Sequence, residues 1–97
     1  MDNDDPTKVA GLVNDLIAHE LEAIDEGRRH AQTEMARVGR PEARELAILR
    51  ASAFARARAF AEARRLVEKA FFGEDEHALV DALNRDFYRR KAEENSQ

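Results

Sequence analysis

Glu20, Gly27 and Glu34 are spaced seven residues apart along an apolar helical stripe, and each has a counterpart further on: Arg64, Ala57 and Arg50. The residue numbers of each pair sum to 84, so the pairs mirror each other about residue 42. Two antiparallel helices folded back on one another produce such a mirror. The turn it requires stands at the mirror point, Val38-Gly39-Arg40-Pro41. Glycine closes a helix C-terminus, and proline suits the first turn of the next helix. The same register sets Ala23 level with Ala61 and Ala31 level with Ala53. Small residues at successive levels let two helix backbones approach to about 8 Å, the short end of the usual range. Charges are normally excluded from such a seam. Here each acid meets an arginine, an arrangement that sets register more than net stability, because desolvation offsets much of the Coulomb gain. One match runs the other way, since Arg28 is level with Arg56.

Apolar residues from Val9 to Val38 repeat with a 3.6-residue period, as do those from Leu46 to Phe71. Asp5-Pro6 opens the first helix, Gly73 stops the second, and Asp75 caps a third that carries Leu79, Val80, Leu83 and Phe87 on one stripe. The pattern predicts an all-α fold, a long antiparallel hairpin with a third C-terminal helix packed on its open end as a three-helix bundle. The expected organisation is a single domain with helices over about 6–38, 41–72 and 75–92, and flexible tails at 1–5 and 93–97. β-branched residues are few and scattered, so no segment reads as a strand.

Charge limits the classes of function. The net charge is −4, but residues 37–69 hold nine bases and four acids, between two acidic flanks. A basic helix between acidic neighbours accounts for this pattern within one fold. Nucleic-acid binding through Arg44, Arg56, Arg58 and Arg65 is the less favoured alternative, because domains that bind nucleic acid usually carry a net positive field. The chain has no cysteine, which excludes disulfides and thiolate metal sites and fits a cytoplasmic location. The opening MDNDDPT is acidic without an apolar core and does not read as a signal peptide. No apolar run approaches the ~20 residues of a membrane span.

Little in the chain points to catalysis. Glu74-Asp75-Glu76-His77 contains one E-x-x-H, whereas a di-iron bundle needs that motif on two helices plus further inward carboxylates. There is no glycine-rich phosphate loop, and the only serines are Ser52 and Ser96. The expectation is a non-enzymatic protein with no catalytic, metal or cofactor residues.

Ala18-His19-Glu20-Leu21-Glu22 resembles the H-E-L core of the phospho-accepting box of sensor histidine kinases, and His19 stands about twenty residues before the turn on a long helix, a similar setting. The resemblance implies a phosphorelay hairpin, or a mimic that binds one, acting through His19. The family's R-T-P-L continuation is replaced here by Glu22-Ala23-Ile24-Asp25. Phe60, Ala63, Val67 and Ala70 resemble the second helix of a tetratricopeptide repeat, but Arg58-Ala59 supplies no helix break before them and no second copy follows at that family's period.

The reading that remains is a small regulator, adaptor or chaperone-like protein that binds another protein. The third helix is too short to cover the whole hairpin, so Met35, Val38, Leu46, Ile48 and Phe54 are expected to form an exposed apolar patch near the turn. Self-association of two such patches as a homodimer is the simplest expectation.

Overall fold

A computed structural model of the chain describes residues 5–96. It contains three helices, α1 (Pro6–Ala36), α2 (Glu42–Phe72) and α3 (Glu76–Asn95), and no strand among the described residues. The expected all-α fold, a helical hairpin with a third helix on its open end, is the fold the chain adopts. Of the expected tails, residues 1–4 and Gln97 lie outside the described residues.

Local chemistry sets the helix ends. The Asp5 carboxylate accepts from the Thr7 N–H at 2.9 Å and caps α1. Asp75 accepts from the Ala78 N–H at 3.0 Å and caps α3. Gly39 (φ +83°) and Gly73 (φ +59°) adopt the left-handed conformation that ends a helix at little cost only for glycine. α1 stops at Ala36, two residues before the expected end, so Val38 belongs to the turn. α3 runs to Asn95, beyond the expected 92. An Arg89–Glu93 pair at 2.9 Å supports that last stretch, and Ser96 closes it on the Ala92 and Glu93 carbonyls.

The chain divides into two compact units, one formed by the segment up to Ile17 together with Ala63 onward, the other by Ala18–Glu62. The first is a three-helix bundle. Its α1 segment buries Val9, Ala10 and Val13, and α3 buries Ala82 and Asp86. The side chains of Val80 and Phe87, expected on the α3 core stripe, are instead about half exposed, at 51% and 53%. The stripe is rotated because a polar cluster holds α3 in another phase.

Asp86 is fully buried and lies at the centre of that cluster. Asn14 Nδ2 donates to its Oδ2 at 2.9 Å and Arg89 Nη2 to its Oδ1 at 2.7 Å, while Arg90 Nε lies 2.8 Å from Oδ2. Arg90 also donates to the Gly11 carbonyl and to Asp15, each at 2.9 Å. A Cβ at Gly11 would lie 3.2 Å from Asp86 Oδ1, so the glycine allows α1 to approach this closely. Burial pushes the Asp86 pKa up, but hydrogen bonds from Asn14 and Arg89 and the charges of Arg90 and Arg89 outweigh it and hold the carboxyl below its ordinary value.

The second unit is a two-helix antiparallel hairpin. Its seam is made of small residues: Ala23, Gly27, Ala53, Ala57 and Ala61 are all buried. No helix among the described residues is long and apolar enough to cross a membrane.

Candidate interaction surface

The faces of the hairpin follow from its seam. Each helical residue is rotated about 100° from the last, so the neighbours of a seam residue emerge on opposite sides. Around the Gly27 and Ala57 seam positions, Glu26 and Arg56 meet as an ion pair on one side. Arg28 and Arg58 therefore lie on the other. The apparent clash of Arg28 with Arg56 in the sequence register disappears, because those two residues are on opposite faces. Glu34 and Arg50 are joined by a 2.6 Å hydrogen bond that pushes the arginine pKa up. Of the other paired positions, Glu20 and Arg64 fall in different compact units, and Arg64 donates to Glu68 at 3.1 Å along its own helix.

Exchange of Glu34 and Arg50 is expected to preserve stability better than either single reversal, because a lone reversal sets like charges together. Thermal melts of the two singles and the double check this, and strictly additive losses would reject the pairing.

The face closed by Glu26 and Arg56 carries charges of both signs. A groove of about 450 Å³ runs there between His19, Glu22, Asp25 and Arg29 on α1 and Arg56 and Phe60 on α2. His19 stacks on Phe60 with ring centroids 5.3 Å apart, and its Nδ1 lies 3.8 Å from Glu22. Nearer the turn, Thr33, Arg37, Glu42, Glu45, Leu46 and Leu49 line a second recess. Among the described residues, no group of three or more His, Asp or Glu side chains is arranged to hold a metal.

The opposite face is apolar. Leu21, Ile24, Arg28, Ala31 and Met35 follow one another on α1 at alternating spacings of three and four, the seam pattern of a helix that packs against another helix, and Val38 follows in the turn. α2 covers that row only in part. Ile24 and Ala31 are half-buried, while Met35 and Val38 are each 76% exposed. The floor includes Phe54, whose ring lies under Gly27: a Cβ there would meet its Cε1 at 2.7 Å.

The expected five-residue patch is corrected by this geometry. Met35 and Val38 are exposed, but Leu46 and Phe54 are half-buried against the seam. Ile48 is 63% exposed but lies two residues before Arg50, which faces Glu34. It points about 160° away from Arg50, onto the outer side of α2. The periodicity identified these residues as apolar, but it could not show on which side of the seam each would emerge.

The chain matches no protein family, no curated protein and no solved structure in comparisons with known proteins. A reading of function therefore rests on the surface itself. Sequence reasoning missed two elements. One is Asp86, which reads as a solvated helix charge until its partners on α1 are known. The other is the pair Arg28 and Arg58, legible only as neighbours of Gly27 and Ala57 once the seam is recognised.

Proposed function

We propose that this chain is a small non-enzymatic protein-binding module, and that another protein packs on the apolar face of its hairpin. The observation that carries this reading is the half-covered row from Leu21 to Val38. Met35 is 76% exposed at the same helical spacing that leaves Ile24 and Ala31 half-buried, and Val38, in the turn that follows, is equally exposed. Each large side chain left wet forgoes roughly 1.5–3 kcal/mol available on burial, so a partner that covers the row gains that free energy.

Other readings have less support. His19 shares its groove with three carboxylates and two arginines, the arginines paired with Asp25 and Glu26, so the Glu22 carboxylate beside the imidazole is left to repel an incoming phosphoryl group. Residues 18–62 carry eight acids and eight bases, so the hairpin presents no net positive field to nucleic acid.

The test compares the parent chain with Met35→Glu/Val38→Glu and with Ile48→Glu, which changes a different face. Co-purification from native host extract and sedimentation should show loss of association in the double variant alone. Circular dichroism should show unchanged helicity in all three. Identical partners and identical oligomeric state for all three proteins would place the interaction surface elsewhere.

A further inference from the structure

The charges bordering the apolar face specify what can cover it. Arg28 interrupts the row of apolar residues on α1, and Arg58 borders the same face from α2. Among the described residues neither arginine forms an ion pair, and the nearby carboxylates do not reach them. Asp25 is held by Arg29 at 2.9 Å and Glu34 by Arg50 at 2.6 Å. Glu62, one turn beyond Arg58, makes no bond to it. The opposite face is the one closed by an acid–base pair.

We propose that the apolar face docks an acidic amphipathic helix from another protein, whose carboxylates answer Arg28 and Arg58. This rests on the protein-binding reading above and names the chemistry of the partner. The helical row from Leu21 to Met35 spans about 21 Å, the length of a helix of about 15 residues, or four turns. Apolar residues of the incoming helix at spacings of three and four meet Leu21, Ile24, Met35 and Val38. A carboxylate at the level of Arg28 supplies the charge that the face lacks. Desolvating an arginine beneath a partner without an acid is costly, so the two arginines select for acid and against base.

A second copy of this chain fits less well. Twofold packing of this face on itself adds two more arginines to the interface against one further carboxylate, that of Glu62, and leaves the arginines in excess. Packing it on the opposite face of another copy is a head-to-tail contact, which needs a ring of copies to close, and the carboxylates there are largely paired already. Nucleic acid could answer the arginines but leaves the apolar row uncovered.

The experiment uses the full chain and three fluorescein-labelled synthetic peptides of about 18 residues. Each carries leucine at alternating spacings of three and four. The positions flanking the leucines are glutamate, glutamine or lysine, and their like charges keep the charged peptides monomeric. Anisotropy should give the affinity order glutamate, glutamine, lysine, with about tenfold or more between first and last. In Arg28→Glu/Arg58→Glu, with helicity confirmed by circular dichroism, the order should invert. If Met35→Glu/Val38→Glu weakens all three peptides while the arginine reversals change nothing, the apolar surface stands and the acidic partner is rejected. Binding that is indifferent to both double variants rejects the surface itself. Binding to none of the peptides, or tighter binding of a labelled oligonucleotide that the arginine reversals abolish, also overturns the proposal.

Discussion

Asp86→Ala is expected to lower the unfolding free energy by about 1–3 kcal/mol, the usual consequence of removing one partner from buried hydrogen bonds. The loss is not that of the hydrogen bonds alone. The variant removes the acceptor of the Asn14 amide at a buried position, while Arg89 and Arg90 keep Glu93, Asp15 and access to solvent. For a domain whose whole stability is roughly 5–15 kcal/mol, this is a large fraction. Urea denaturation at neutral pH measures it, and a loss under about 1 kcal/mol would show that the cluster is hydrated and weakly coupled. Replacing Asn14, Asp86 and Arg90 together with apolar residues of similar size should cost less than Asp86→Ala, because no buried polar group is left without a partner and the charges that lose one, Asp15 and Arg89, are exposed.

The same carboxylate shapes the acid limb of stability. Its folded pKa lies below the unfolded value of about 3.9, so its contribution is fully present above that pH and is lost as pH falls through the lower, folded value. In Asp86→Asn this part of the pH dependence should disappear, while Asp15→Asn should retain it. Denaturation midpoints between neutral pH and the acid end separate the two variants.

Gly27→Leu is expected to destabilise the hairpin by about 2–3 kcal/mol through overpacking, and Gly27→Ala by less but in the same direction. Helix propensity argues the other way, since replacing an interior glycine with alanine gains up to about 1 kcal/mol. Geometry decides between them. A Cβ at Gly27 lies 2.7 Å from Phe54 Cε1 and 2.8 Å from Cζ, distances that no relaxed contact tolerates, so the ring must move. Phe54→Leu should therefore rescue part of the loss in Gly27→Ala, a non-additivity that a double-mutant cycle detects. A Gly27→Ala variant that melts above the parent would mean that the ring shifts freely and that the seam is not closely packed there.

The readable and unreadable parts of this chain divide along a physical line. Helix ends were legible because they depend on nearby residues: Asp5 and Asp75 cap within three positions, and Gly39 and Gly73 supply the left-handed conformation themselves. The small-residue seam was legible because antiparallel pairing is a symmetric relation between two periodic segments, visible in Gly27 and Ala57 and in Glu34 and Arg50. Periodicity tells which residues share a stripe, but it does not orient that stripe against a third element. α3 shows the consequence. Its apolar stripe predicted Val80 and Phe87 inside, yet Asp86 is buried instead, because Gly11 admits close approach and Asn14, Arg89 and Arg90 satisfy the carboxylate. Nothing within 75–92 indicates this, since the bonding groups include side chains some seventy residues away. The interaction surface divides the same way. That apolar residues crowd the hairpin near its turn was evident in the sequence. That Met35 stands on a face with Arg28 and Arg58, Ile48 on another side, and Phe54 under Gly27, was decided only when the two helices met. Rotation about a helix axis costs little locally and is set by the contacts of the packed state.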